Sequence, residues 1–174
     1  MTSRYLAIDL GAESGRVMLG TLEDGRLAIE ELSRFSNTPI RDGDRMYWNI
    51  PSLLDGIRAG LAKAGALGQP ITSVSTCAWG VDYVLLDDAG EIIKPVFHYR
   101  DPRTSDGEKA ALGRVDWPTL FAETGIQYMM LNTSIQLCAE PPARLAKAVR
   151  LLTIADAINH LLSGVAKIEV SMAS

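Results

Sequence analysis

The sequence predicts an α/β domain in which a mixed sheet opens with three antiparallel strands and is flanked by helices. Three observations carry that expectation. Residues 5–10, 17–20 and 26–35 are strand-like apolar runs separated by short turns. A helical pattern follows, with Leu53, Leu54, Ile57, Leu61 and Ala64 on one face. Residues 71–77 then form an apolar run of strand length, so the order is strand, strand, strand, helix, strand.

The first turn, Gly11-Ala12-Glu13-Ser14-Gly15-Arg16, lies between Ile8-Asp9-Leu10 and Val17-Met18-Leu19. Gly11 and Gly15 are expected to supply positive φ in a hairpin. Such a turn passes from strand to strand, whereas GxxxxGK[ST] and GxGxxG loops enter a helix, and neither of those patterns is present. The N–H groups of Ala12, Glu13, Ser14 and Gly15, the Ser14 hydroxyl and the Arg16 guanidinium form a donor set suited to phosphate oxygens. Asp9, at the end of the first strand, suits a Mg²⁺ ion held directly or through water. An ordinary hairpin with a solvated Asp and Arg fits the same spacing.

Asp24-Gly25 turns the chain into the third strand, and residues 37–39 and 41–44 carry loop signals before a short strand at Met46-Tyr47-Trp48. Asn49 reads as an N-cap and Pro51 as a first-turn residue of the helix that Gly65, Gly68 and Pro70 stop. The run 71–77 is expected to be buried, Cys77 with it. Residues 79–90 read as a Gly turn, a strand and an Asp-rich turn, as in a plain hairpin. Asp116, Pro118 and Gly125 bracket a short helix, and Asn132 or Thr133 caps the next one, which Pro141-Pro142 interrupts. An amphipathic helix over 154–162 ends at Gly164, and 166–171 is expected to be a final strand.

The pattern Asp9-x-Gly11-x-x-Ser14-x-Arg16 resembles the first phosphate loop of the sugar kinase, actin and Hsp70 ATPase superfamily. Within it, Leu10-Gly11-Ala12-Glu13-Ser14-Gly15-Arg16 is similar to the rhamnulokinase branch of the FGGY carbohydrate kinases. Three later stretches resemble the same branch in the same order. They are Trp79-Gly80-Val81-Asp82, Tyr99-Arg100-Asp101-x-Arg103-Thr104, and Thr124-Gly125-Ile126-Gln127-Tyr128 with Asn132-Thr133. The resemblance implies a ribonuclease-H-like, actin-like ATPase half domain over residues 1–174, the N-terminal domain of a two-domain enzyme whose C-terminal domain lies beyond this chain.

It further implies ATP and Mg²⁺ as cofactors and L-rhamnulose as the sugar, phosphorylated at its 1-hydroxyl. Asp9 would bear on the metal and Gly11, Ala12, Glu13, Ser14, Gly15 and Arg16 on the nucleotide phosphates, although the Glu13 carboxylate is repulsive toward a polyphosphate and is expected to face away or toward metal waters. Trp79, Gly80, Asp82, Arg100 and Asp101 would bear on the sugar. Arg100 and Asp101 pairing with each other at the surface is the alternative. The catalytic base, an Asp in a Gly/Ser-His-Asp stretch, belongs to the second domain and is not expected here. Ser171-Met172-Ala173-Ser174 resembles the start of the segment leading to it. Cys77-Ala78 stands where many relatives have Asp-Thr, which removes two hydrogen-bonding groups from the expected sugar site.

Composition narrows the partners. A chain of 174 residues can bury about two-thirds of its unfolded surface, enough for one domain. A net charge of −4 with interspersed signs offers no basic stripe for nucleic acid or an anionic membrane. Two distant cysteines, Cys77 and Cys138, read as buried thiols, and His98 and His160 have no metal-ligand spacing to other Cys or His. A cytoplasmic protein is expected. Three readings stay open: half of a kinase, a sugar- or nucleotide-binding module without catalysis, and a scaffold.

Overall fold

The computed structural model describes residues 2–173, leaving Met1 and Ser174, the last residue of the quoted stretch Ser171-Met172-Ala173-Ser174, outside the described chain. The chain divides into two compact units, residues 1–38, 49–80 and 154–174 in the first and 39–48 with 81–153 in the second.

The first unit is built on a four-stranded sheet in the order β3-β2-β1-β6, from β1 (Thr2–Leu10), β2 (Ser14–Glu23), β3 (Arg26–Ser36) and β6 (Ser73–Ala78). β1, β2 and β3 are antiparallel, and β6 joins β1 in parallel. Alternation sends Leu6, Ile8, Leu10, Val17 and Leu19 to one buried face. A bulge at Leu32 shifts the β2–β3 register, since Val17 faces Ser33 while Met18 faces Glu31. Helix α1 (Ile50–Ala66) covers that face with Leu53, Ile57 and Ala64. As expected, the Asn49 side chain accepts from the Ser52 N–H, at 3.2 Å. Helix α6 (Ile154–Ser163) packs on β6, and Gly164 leaves it with φ 75°.

In the second unit, β4 (Ile40–Asp42) and β5 (Arg45–Tyr47) form a small hairpin, and the segment 96–98 runs beside β5 through Trp48 N–H to Val96 O and His98 N–H to Met46 O. β7 (Tyr83–Leu86) pairs antiparallel with β8 (Arg150–Thr153), and both supply the core with Val84, Leu85, Leu86 and Leu152. Helices α2 (Thr104–Leu112), α3 (Trp117–Thr124), α4 (Thr133–Cys138) and α5 (Pro142–Leu145) complete it. α2 approaches α4 closely at Gly107, where a Cβ would lie 2.2 Å from the Ile135 carbonyl. Asp116 caps α3 and Gly125 ends it at φ 66°, both as the sequence indicates.

Five expectations need correction. Gly11 and Gly15 are not among the positive-φ residues. Gly15 is required by packing instead, because a Cβ there would sit 2.4 Å from the Phe35 ring, and one at Gly11 would come within 3.2 Å of the Ser14 carbonyl. Strand β6 is largely exposed, since it is the edge of the described sheet with β1 as its sole neighbour, and Cys77 is exposed with it, as is Cys138 on α4. Residues 79–90 make only part of the expected hairpin: the Asp87–Gly90 turn brings Ile92 back against Leu86, but β7 takes its strand partner from β8 more than sixty residues later. Asn132 occupies the N-cap of α4 without a capping bond, its amide donating instead to the Gln127 carbonyl, while the Thr133 hydroxyl is turned to Val81. The expected final strand is a one-turn helix, α7 (Val170–Ala173), begun by the Glu169 carboxylate, which accepts from the Ser171 and Met172 N–H groups.

Candidate functional site

In the first unit, Asp9 and Arg16 face each other across the β1–β2 ladder and form an ion pair with about two-fifths of each side chain exposed. Beyond them the chain closes through Gly11 N–H to Ser14 O at 2.9 Å. Asn37, which the sequence offers only as a loop residue, staples this turn: its amide donates to Gly11 O and its own N–H donates to Glu13 O, both at 2.9 Å. With both carbonyls held by Asn37, the N–H groups of Ala12 and Glu13 have no protein acceptor among the described residues. Ser14 and Gly15 belong to β2, opposite Ser36 and Phe35, so the free donor pair is narrower than the four N–H groups expected. The Glu13 side chain is exposed.

This set can do one thing well. Two unpaired N–H groups, a hydroxyl and a guanidinium surround a bend and suit an oxyanion, while the neighbouring carboxylate suits a hydrated divalent cation. Among the described residues no group of three His, Cys, Asp or Glu forms a metal cluster. The parallel register sets Cys77 beside Asp9 and Ala78 beside Leu10. Trp79 and Gly80 therefore leave the sheet at the same end as the Gly11–Gly15 turn. Gly80 is exposed, and a Cβ on it would meet nothing within 4 Å.

The second unit holds Asp82, Arg100 and Asp101. Asp82 is 3% exposed, its Oδ2 accepting from the Trp48 indole N–H at 2.6 Å and its Oδ1 from the Gln136 amide at 2.9 Å. Asp101 has no exposed surface: it accepts from the N–H groups of Met46 and Arg103, at 2.8 and 3.0 Å, and pairs with Arg45 at 3.2 Å. Arg100 is exposed and lies over the Tyr99 ring. Arg100 and Asp101 thus do not pair with each other; one faces water and the other organises the loop.

His98, between them and Val96, is stacked on Trp48 with centroids 4.0 Å apart and accepts from the Arg100 N–H at Nδ1. Burial, with the Arg100 and Arg41 charges, lowers its pKa from 6.5 to about 4 against the opposing pull of Asp101. It is a neutral imidazole carrying its proton on Nε2. Deeper in the unit, Glu140 joins Arg103 and Arg144 at 3.1 and 3.0 Å and accepts from the Tyr83 hydroxyl, while Arg103 stacks 3.9 Å from the centre of the Phe97 ring. Burial pushes the Tyr83 hydroxyl well above its ordinary range despite Arg103.

Trp48 and Gln136 are the partners of Asp82 that sequence reasoning did not single out. Gln136 had one visible signal, a polar residue between Ile135 and Leu137 on a short helix, and it is 1% exposed.

An opening antiparallel β-meander continued in parallel by β6, with α1 on one face, is the half-domain fold of the actin-like ATPases, and solved sugar kinases share that fold. The solved gluconate kinase from Lactobacillus acidophilus superposes with a TM-score of 0.81 at 13% identity, over 99% of this chain and 36% of that one. The xylulose kinase from Rhodospirillum rubrum does so at 0.80 and 22%, over 98% and 36%. At such identities these likenesses bear on fold alone. Residues 4–174 match the N-terminal domain of the FGGY family of carbohydrate kinases, and the chain belongs to that family. Among its curated relatives, a rhamnulokinase of Ligilactobacillus salivarius is 38% identical over 98% of this chain, and one of Bacteroides thetaiotaomicron is 36% identical over all of it. The chain spans 35% and 36% of those two proteins, about a third of their length.

Proposed function

We propose that this chain is the N-terminal domain of a rhamnulokinase-like enzyme that transfers the γ-phosphoryl group of MgATP to the 1-hydroxyl of L-rhamnulose, giving L-rhamnulose 1-phosphate and ADP. The observation that carries the reading is the similarity to curated rhamnulokinases along nearly the whole chain, 36–38% identical. In this reading the bond from the β,γ-bridging oxygen to the γ-phosphorus breaks as the bond to the sugar oxygen forms, and the hydroxyl proton passes to a carboxylate base beyond residue 174. Positioning and charge stabilisation dominate such a transfer.

The residues present fit that task. The N–H groups of Ala12 and Glu13 and the Ser14 hydroxyl would hold phosphate oxygens, Arg16 would add charge, and Asp9 would receive the Mg²⁺ waters once Arg16 turns to phosphate. MgATP supplies the phosphoryl group and its charge neutralisation. Trp79 and Gly80 would meet the sugar, an aromatic face and a bare main chain being suited to a polyhydroxy ligand. Within the second unit, Asp82 and Asp101 would act indirectly, holding Trp48, Gln136 and the Arg100 loop, and Arg100 is the exposed group there that would reach hydroxyls. The described residues include no helix long and apolar enough to cross a membrane, and a cytoplasmic enzyme acting with its own C-terminal domain, without nucleic acid, completes the reading.

The test is an ADP-release assay on the product of the full reading frame that contains this chain, with L-rhamnulose, L-fuculose, D-xylulose and glycerol as acceptors. L-rhamnulose should give the highest kcat/KM, and the isolated 174-residue chain should give no turnover. Better turnover of glycerol or D-xylulose would remove the rhamnulose assignment and leave family membership standing.

A further inference from the structure

We propose that the outer edge of β3 pairs with the same strand of a second copy of this protein, antiparallel, about a two-fold axis at Ala28. The contact lies within the first unit and does not depend on which sugar the enzyme takes.

β3 ends the sheet on the side away from β6, so one row of its main-chain groups meets no strand among the described residues. Natural sheet edges are commonly short, bulged or covered, and only part of this one is. Past the bulge at Leu32 the edge is taken up locally: the Leu32 carbonyl accepts from Lys63 Nζ at 2.9 Å, and Arg34 pairs with Glu31. Before the bulge, residues 26–31 are all exposed, Leu27 at 60% and Ile29 at 65%. Leu27 faces Leu22 across the ladder, itself exposed, so an apolar strip runs out to the open edge.

Main-chain direction and side-chain charge select one register for a second copy. Asp24 and Gly25 both have positive φ, at 48° and 77°, and form a two-residue hairpin loop closed by Glu23 and Arg26. The closing residues of such a loop exchange hydrogen bonds. Arg26, Ala28 and Glu30 therefore direct their N–H and C=O groups to β2, and Leu27, Ile29 and Glu31 direct theirs outward. An antiparallel copy must set odd-numbered residues against odd-numbered ones. With Ala28 opposite itself, Leu27 meets Ile29 of the copy in hydrogen-bonded pairs and Arg26 meets Glu30, each pair occurring twice. Neither Arg26 nor Glu30 has an ion partner among the described residues. An axis at Ile29 would set Leu27 against Glu31 and Ala28 against Glu30, and one at Leu27 would set Arg26 against Ala28. Both lose the charge pairs. The two-fold contact uses the open stretch of both copies and so stops at a dimer, a weak and reversible one because few residues meet.

The test is sedimentation velocity over a concentration series on the product of the full reading frame that contains this chain, with thermal melts in parallel. The wild type should show a monomer–dimer equilibrium. Arg26→Glu or Glu30→Arg alone sets like charges opposite each other twice and should weaken it about tenfold, with Tm nearly unchanged because both residues are exposed. Ile29→Lys should weaken it as well. An equimolar mixture of the two charge variants should dimerise as the wild type does, since each then meets its opposite, and so should the double variant with itself. Arg26 and Glu30 stand roughly 13 Å apart along their own strand, so such rescue arises only between copies. A full-length protein that stays monomeric at every concentration that remains in solution overturns the proposal, and is the result expected if the rest of the chain lies on this edge. A dimer that the single changes leave intact, or that the mixture does not restore, forms through another surface or register and overturns it too.

Discussion

Asp9 and Arg16 neutralise each other across adjacent strands at the mouth of the Gly11–Gly15 turn, so the cation and the anion that a magnesium polyphosphate would separate already stand side by side. With each side chain about two-fifths exposed, the pair adds roughly 0.5 kcal/mol or less to stability. Asp9→Asn should therefore leave the melting temperature of the chain without nucleotide within a degree or two. Any stabilisation by MgATP in the wild type should be reduced in the variant, and thermal melts with and without MgATP check both parts.

The Phe35 ring lies between two glycines, and a Cβ at Gly56 would sit 2.3 Å from it. In an exposed helix Gly→Ala gains about 1 kcal/mol. Here Gly56→Ala should instead destabilise by about 1–3 kcal/mol through overpacking. In a Phe35→Ala background the same change should become stabilising. Urea denaturation of the four chains of the cycle measures the sign reversal; an unchanged sign would mean that the ring does not set the fit.

His98 makes stability depend on acid. Its folded pKa, about 4, lies below the ordinary 6.5, so the unfolded chain binds more protons between those values. The contribution is fully present above pH 6.5 and is lost as pH falls toward 4. His98→Asn keeps an acceptor for the Arg100 N–H but cannot titrate. Its denaturation midpoint should fall less steeply over that window than the wild type's.

Two neighbours in sequence should respond unequally to substitution. Asp101→Asn replaces one acceptor oxygen with a donor in a fully buried place already filled by donors, and should cost about 1–3 kcal/mol. Arg100→Ala, at the surface, should change stability by no more than about 0.5 kcal/mol. Chemical denaturation distinguishes them, and a stability loss at Arg100 equal to that at Asp101 would contradict the division of roles.

Local chemistry made the opening meander and the ends of α1 and α3 legible, because alternation, Asn49, Asp116 and Gly125 act within a few residues of themselves. The β7–β8 pair was not legible. Its register joins Tyr83 to Thr153, and no local pattern encodes a partner seventy residues away. Burial misled for the same reason at β6, where an apolar run that reads as a core strand lies at a sheet edge. At the candidate site, residue types named the turn but not its staple, since Asn37 acts on Gly11 from twenty-six positions later. Asp82 and Asp101 were legible as chemically capable residues, while their burial under Trp48, Gln136 and Arg45 was not.

The position of Phe35 has a consequence for motion. Its ring is bounded by the main chain of β2 at Gly15 and by that of α1 at Gly56, with no side chain on either glycine to swing aside. Rotation about the ring axis then requires the helix to lift from the sheet by a fraction of an ångström. The flipping rate of this one ring is a built-in clock for the breathing of α1 against β2, readable from the exchange of its paired edge protons long before the domain unfolds.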